Sequence, residues 1–426
     1  MQVKNKTVKF SWGLYDWANS AWGTVITTFI FATYFTEVVA ENTEKGSVYW
    51  GNAIAISGLI IAILSPFVGS IADQTRNLKK WIIIFTLIYS FASILLWFTG
   101  YLISYEIFII LLIVVIGQVA SEIAFAIYNA QLKTISNKSE YGKISGLSWG
   151  FGYIGGLTIL IIILLFFVQS ETPLFGLNKD TYEHIRICGP LVGLWILFFS
   201  LPLFFSYKEQ EKNPIKFFTA LKKGTREIIK TTKEIKRYFN LIKFLIARMF
   251  YIDGINTVFA FGGIYAAGTF GMPFNEVIMF GIGTNIAAGI GALAFSFIED
   301  KIGSKKIIIF SLIVLTICGI GILLVNDKST FWILGITLSS FFGPIQSASR
   351  VYFTKSVPDD KKAEFFGFYS LSGKITSFFG PLMFAILTSF YQSQRAGMTI
   401  VIFLLLTGLL MMFFVEDDKN SSNQNS

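Results

Sequence analysis

The chain has 426 residues, 54% of them hydrophobic and only 14% charged, with a mean hydropathy of +0.63. A water-soluble domain this apolar would expose more hydrocarbon than a stable surface carries, so composition excludes an ordinary soluble enzyme and indicates an integral membrane protein. The formal charge of +9 sits mostly between the hydrophobic runs, where it encodes topology, and no nucleic-acid partner is implied.

Taken in chain order, hydrophobic runs predict twelve membrane helices at 12–38, 48–71, 81–101, 106–128, 145–168, 187–206, 243–267, 276–298, 306–325, 331–353, 365–391 and 396–415. Each approaches the ~20 residues that cross a ~30 Å hydrocarbon core at 1.5 Å per residue. Runs such as Ile159 to Val168 are apolar on every face, unlike the half-polar strands of a β-barrel. The opening lysines resemble those of a signal peptide, but the apolar run is too long and lacks a small-residue cleavage site, so it is expected to remain as the first helix. Cys188 and Cys318 fall at or within apolar helices, as reduced, buried thiols do.

With the N-terminus inside, the inner segments hold 26 Lys and Arg residues, Lys4 and Lys419 among them, against five outside. The positive-inside rule then predicts a multi-pass protein of the plasma membrane with both termini cytoplasmic. The polar tail, 419–426, reads as disordered. Trp12, Trp50, Trp81, Trp97 and Trp332 lie near predicted span ends, where indoles commonly anchor at headgroups.

A basic segment, 207–241, separates two groups of six helices, giving an N-terminal bundle at 1–206 and a C-terminal bundle at 242–418. Within it Ile215, Phe218, Leu221, Ile228, Ile235, Phe239 and Ile242 recur every three to four residues or multiples of that step, which predicts an amphipathic helix on the inner membrane surface. It reads as a tie between the bundles, with partner binding as the alternative. The bundles themselves look duplicated. Asp16 and Asn19 on helix one are matched by Asp253 and Asn256 on helix seven; Gly69 to Lys80 is matched by Ser296 to Lys306; and Glu140 to Gly142 is matched by Glu364 to Gly367.

Six helices, a basic linker and six more resemble the plan of the major facilitator superfamily. The loop Asp73-Gln-Thr-Arg76-Asn-Leu-Lys79-Lys80 resembles its signature, although the usual D-x-x-G-R is replaced here and Asp300-Lys301-Ile-Gly-Ser-Lys-Lys is closer to it. Within that superfamily Leu14 to Trp22, Tyr128 to Leu132, Gly146 to Gly156, Ser347 to Phe353 and Glu364 to Leu382 resemble the vacuole-effluxer-like family, whose fungal members look like amino-acid exporters. The resemblance implies an all-α membrane fold of two pseudo-symmetric six-helix bundles. It also implies secondary transport, not enzymatic catalysis, of a small polar solute.

In such folds helices 1, 4, 7 and 10 surround the cavity and substrate lies near the midplane. Those helices hold most of the intramembrane polar residues: Asp16 and Asn19; Gln118, Glu122 and Asn129; Arg248, Asp253 and Asn256; Gln346 and Arg350. Charge in a membrane span is costly, ~2.5–3.5 kcal/mol on insertion scales, which makes each a candidate for function. Arg350 or Arg248 could clamp a carboxylate, and Asp16, Glu122 or Asp253 an ammonium, though each could instead form a structural ion pair. Glu122 and Asp253 are the candidates for proton coupling, and Lys374 on helix eleven could snorkel or close a cavity ion pair. About 20 apolar residues follow Asp16 but about 14 follow Asp253, so helical rise places Asp16 shallower by about 9 Å, toward the cytoplasm. Asp73, Arg76, Asp300 and Lys301 form a candidate cytoplasmic gate, with an ordinary solvated turn as the alternative.

Gly150, Gly152 and Gly155 mimic a dinucleotide motif, but they lie in a membrane helix with no strand before it and serve packing instead. His184 alone suggests no metal site, and no cofactor is expected. The implied partners are a small-molecule substrate, the bilayer and a proton as candidate coupling ion, acting on a monomer. A non-transporting receptor or scaffold and a lipid transporter remain as alternatives; costly charge around a cavity argues against the first, and a polar cavity against the second.

Overall fold

The structure, a computed structural model, describes residues 6–40, 42–100, 106–209 and 217–417. The first six membrane helices are α1 (Lys6–Val39), α2 (Thr43–Thr75), α3 (Leu78–Leu95), α4 (Glu106–Ile135), α5 (Tyr141–Ile163) and α6 (Cys188–Ser206). After a linker helix, Phe217–Lys233, follow α7 (Phe239–Phe270), α8 (Phe274–Ser296) and α9 (Ser304–Leu324). The last three are α10 (Lys328–Ser339 with Phe342–Ser356), α11 (Lys362–Lys374 with Phe379–Tyr391) and α12 (Gln394–Phe413).

Among the described residues eleven helices are long and apolar enough to cross a membrane. The expected span 331–353 is the exception: α10 is broken at Ser340 and Phe341 into pieces of 12 and 15 residues. α11 is likewise broken, at Ile375 to Phe378, between pieces of 13 residues each. Both helices restart on the same tetrapeptide, Phe341-Phe-Gly-Pro344 and Phe378-Phe-Gly-Pro381. A proline has no amide hydrogen to return to the carbonyl four residues back, so Ser340 and Ser377 each lose a helical partner. At the α10 break the backbone of α8 closes in: a Cβ on Gly291 would lie 1.8 Å from the Ser340 carbonyl oxygen.

Each half folds on itself. α1 packs on α5 and α6, and α3 on α4 and α6, in the first; α7 packs on α12, and α9 on α10 and α12, in the second. The halves meet along α2 with α11 and α5 with α8, and more lightly along α5 with α10 and α4 with α11. Glycine makes the two main seams tight. A Cβ on Gly69 of α2 would sit 2.1 Å from the Ala363 carbonyl oxygen, and one on Gly146 of α5 would sit 2.7 Å from that of Ala292 in α8.

These contacts shift the internal alignment by one helical turn. Gly142 occupies the position of Ala363, since each donates its amide to the signature aspartate of the other half. Gly146 then matches Gly367, whose would-be Cβ meets the backbone of Ser65 and Pro66 on α2. The sequence match of Glu140–Gly142 to Glu364–Gly367 pairs Gly142 with Gly367, whereas the structural equivalence is set by which residue opens the helix.

The linker helix touches both halves. The Ser70 hydroxyl of α2 lies 3.1 Å from the Gly224 carbonyl, and Lys361 beside α11 reaches Glu227 at 3.1 Å and Thr231 at 3.0 Å. Of the predicted apolar stripe, Phe218 and Leu221 are exposed while Ile228 is buried, so the bundle covers only part of it. Ile215, the side chain of Ile235, Lys4, Lys419 and the tail 419–426 lie outside the described residues.

Candidate transport cavity and gate

Polar groups in the two seams form successive layers from the face that carries the first and last described residues, here the terminal face. In the outermost layer each signature aspartate caps a helix of the opposite half. Asp73 accepts from the amides of Ala363 and Glu364 at 3.1 and 2.8 Å, at the start of α11. Asp300 accepts from those of Gly142 and Lys143 at 2.8 and 2.9 Å, at the start of α5. A carboxylate at a helix N-terminus satisfies orphan donors and meets the positive end of the dipole, which contributes ~0.5–2 kcal/mol per cap. Glu209 holds the N-terminus of α3 in the same way, through Leu78 and Lys79 at 2.7 and 2.8 Å. Arg76 and Lys301, grouped with the aspartates by sequence, are exposed.

Two further carboxyl groups are buried beside these caps. Glu364 accepts from Ser70 across the seam at 2.8 Å. Glu299 is 1% exposed, accepts from Ser304 at 2.8 Å, and has its Oε2 3.4 Å from the Ser347 hydroxyl. Burial pushes the Glu299 carboxyl up to about 7, against the opposing pull of Ser304, Lys355 and Arg350.

The next layer is built around Arg350. This guanidinium projects from α10 into the other half, where it is 1% exposed. It donates to the Ser145 hydroxyl at 2.9 Å, the Ser145 carbonyl at 2.7 Å, Asn129 at 3.1 Å and Asp16 at 3.4 Å. The rings of Trp12, Trp149 and Tyr128 lie 4.8, 5.5 and 5.8 Å from its carbon, a cation–π cage. Asp16 in turn accepts from Ser148 at 2.8 Å, and the Tyr128 hydroxyl, 3.4 Å from Asp16, bonds Ser148. Trp12 is therefore no interfacial anchor: it is fully buried, stacks on Tyr128 at 4.3 Å and donates to the Tyr128 carbonyl. Asp16, Asn129 and Arg350 come together here, sealed from solvent.

Roughly two helical turns along α4, toward the opposite face, the polar groups become accessible. Glu122 of α4 pairs with Lys374 of α11 at 2.6 Å, with side chains 23% and 28% exposed. Gln118 lies 3.4 Å from Glu122 and accepts from the Trp22 indole at 2.8 Å. Asn19 accepts from Ser121 at 3.4 Å, and Gln346 of α10 donates to Tyr153 of α5 at 3.2 Å. Lys374 sits just before the break in α11, so the interruption places its ammonium at the cavity.

Of the expected cavity residues on α7, Arg248 and Asp253 make their contacts within the second half. Arg248 donates to the Tyr369 carbonyl and the Ser372 hydroxyl, both at 2.8 Å, and stacks on the Tyr369 ring at 3.5 Å. Asp253 accepts from the amide of Gly380, near the restart of α11, at 3.2 Å. Asn256 is half-buried one turn beyond it. The pseudo-repeat of Asp16 and Asp253 thus joins residues in different surroundings. One meets a cation from the other half and the other a helix end within its own. Tyr128, Ser145, Ser148, Trp149, Tyr153 and Glu299 escaped the sequence reading; aromatic and hydroxyl residues on α4 and α5 at the level of Asp16 were the available signal.

Known proteins agree with this architecture. The backbone is similar to a proton:xylose symporter, XylE, with a TM-score of 0.77 at 11% identity over 96% of each chain. It is similar also to FucP in its outward conformation, with a TM-score of 0.73 at 14% identity over 96% of this chain and 98% of that one. Both are major facilitator superfamily proteins and support the fold alone. By sequence the chain is 27% identical over 407 residues to an uncharacterized MFS-type transporter, YxiO, of Bacillus subtilis, covering 94% of this chain and 92% of that protein. It is 22% identical to autophagy-related protein 22 of Kluyveromyces lactis, covering 83% of this chain and 77% of that one. It spans about half the length of several other fungal relatives, 46% for autophagy-related protein 22-1 of Aspergillus niger. The family described as "Vacuole effluxer Atg22 like" matches residues 4–425, and the chain, with its two seamed six-helix halves, belongs to that family of membrane transporters.

Proposed function

We propose that this transporter moves small zwitterionic solutes, amino acids first among them, by alternating access, with a proton gradient as the driving force and export or exchange as the direction. The observation that carries this reading is the Glu122–Lys374 pair, one member from each half, partly exposed and 2.6 Å apart. A zwitterion can insert into such a pair without changing the net charge of the cavity. Its carboxylate takes the place of Glu122 at Lys374, and its ammonium takes the place of Lys374 at Glu122. Gln118, Asn19, Tyr153 and Gln346 supply hydrogen bonds around it, and Trp22 an apolar surface. Because substrate replaces a contact between the halves, its binding and release alter how strongly they hold together, which alternating access requires.

In this reading the terminal face is cytoplasmic, by the distribution of Lys and Arg, the membrane is the plasma membrane and the unit is a monomer. Asp73, Asp300 and the Arg350 cage then hold the cytoplasmic side shut. The test is counterflow and uptake of labelled amino acids in proteoliposomes, with and without a pH gradient. Glu122→Gln and Lys374→Met are expected to abolish flux. Absence of flux across a broad amino-acid pool would refute amino-acid transport and favour a scaffold that keeps the fold without transport.

A further inference from the structure

The geometry points to Glu299, on the short turn between α8 and α9, as the residue that carries the coupling proton: it holds the proton while the terminal face is shut and gives it up when that face opens. This inference rests on the proton-driven reading above and moves the proton away from Glu122 and Asp253.

Three observations carry it. First, the carboxyl is sealed by the closure itself. Gly142 of the opposite half packs on it so closely that an added Cβ there would lie 2.7 Å from the Glu299 Cβ, so parting α5 from α8 exposes the group to water. Second, it is dispensable for the seam. Asp300, the next residue, already caps α5, and at the equivalent place before Asp73 the other half has Ala72, which is fully buried. An extra carboxyl confined to one of two copies costs stability if ionised and needs another reason to be present. Third, it is linked to the Arg350 layer. Glu299 Oε2 lies 3.4 Å from the Ser347 hydroxyl, which lies 2.9 Å from that of Ser145, which accepts from Arg350 at 2.9 Å. Protonation at the turn is thereby tied to the guanidinium that crosses between the halves.

The charged groups facing Glu299 are Arg350 and Lys355 from α10 and Asp300 from its own turn; α5 contributes the uncharged Gly142 and Ser145 and, bonded through its amide to Asp300, Lys143. Burial dominates and raises the carboxyl to about 7 in the shut state, whereas in water a glutamate titrates near 4.3. Closure is therefore fully favoured at low pH, weakens as pH rises from about 4.3, and has lost that contribution above about 7. A proton loaded from the far side and released to the terminal face travels inward if that face is cytoplasmic, as proton-driven export requires.

The test needs no identified substrate. Nitroxide labels are placed at the exposed Lys138→Cys and Lys306→Cys, one on each half, in a Cys188→Ser/Cys318→Ser background, and the interspin distance is measured in lipid nanodiscs between pH 5 and pH 8. The long-distance population is expected to gain on the short one by on the order of a hundredfold in ratio across that range. In Glu299→Gln, which mimics the protonated form, the short distance should persist at every pH. A merely structural defect would instead lengthen it already at pH 5. A wild type whose distances ignore pH, or a Glu299→Gln variant that follows pH as the wild type does, overturns the assignment. The driving-force reading is tested separately by proteoliposome flux of a labelled amino-acid mixture: flux indifferent to a pH gradient defeats that reading and this inference with it. Gradient-driven flux accompanied by pH-responsive Glu299→Gln labels defeats the inference alone.

Discussion

Replacing Asp16 with asparagine should open the terminal face. The substitution keeps the shape of the side chain but removes the one carboxylate that, among the described residues, pairs directly with Arg350, leaving a guanidinium that is 1% exposed without that partner. Breaking a buried pair by removing one partner costs ~3–5 kcal/mol. The lower end applies here. The Arg350–Asp16 separation of 3.4 Å is long for a hydrogen bond, and the carbonyl and hydroxyl of Ser145 and the Asn129 amide still accept from the cation. About 3 kcal/mol corresponds to roughly a hundredfold shift from shut to open. Ser296, 1% exposed on α8 and facing Gly146 of α5, reports it. In a Ser296→Cys, Cys188→Ser, Cys318→Ser background, the maleimide reaction rate should rise on the order of a hundredfold with Asp16→Asn. Arg350→Gln should act similarly, and the double variant should fall well short of the sum because the two residues share one interaction. An unchanged rate in a correctly folded Asp16→Asn protein would mean that Asp16 does not hold the halves together.

Other consequences test different layers. Glu122→Gln should leave the melting temperature within a few degrees of the wild type, because a pair with side chains 23% and 28% exposed is screened by solvent and contributes ~1 kcal/mol or less; counterflow should be lost nonetheless. A large fall in melting temperature would reassign that pair to structure. Gly69→Ala should wedge α2 from α11, since its Cβ would lie 2.1 Å from a carbonyl oxygen, and should raise labelling at Ser296→Cys even with Asp16 intact. Asp300→Ala should remove the cap on α5 at a cost of about 0.5–2 kcal/mol, seen as a modest increase in that labelling, smaller than the increase from Asp16→Asn. Asp253→Asn distinguishes the earlier candidate for proton coupling: loss of gradient-driven but not exchange flux would restore it, whereas an unchanged pH response would remove it.

Much of the architecture follows from local properties. Hydrophobic length predicts the spans, lysine distribution separates the two faces, and the recurrence of aspartate before a basic turn reveals the duplication, because each is a property of residues close in sequence. The presence of polar residues on α1, α4, α7 and α10 was equally legible, since charge in an apolar run is conspicuous wherever it falls. Their partners were not. Nothing in the spacing of Glu122 or Lys374 distinguishes that pair from Glu122 with Arg350, and Trp12 near a span end looks like any headgroup anchor until Tyr128 and Arg350 are brought against it.

The breaks in α10 and α11 were in principle readable from the repeated Phe-Phe-Gly-Pro, but a proline near a helix start is ordinary, and only the interrupted hydrogen bonds at Ser340 and Ser377 make the repeat a structural device. Sequence by itself determined the class of protein, its two related halves and the helices that carry charge, because hydropathy and periodicity act within a segment. Tertiary structure alone decided which charges meet. Arg350 is sealed against the other half while Glu122 and Lys374 remain open, and Glu299 lies under a glycine 157 positions before it. Burial and pairing are set by the approach of distant helices, and that approach depends on glycine contacts and helix ends that no local pattern encodes.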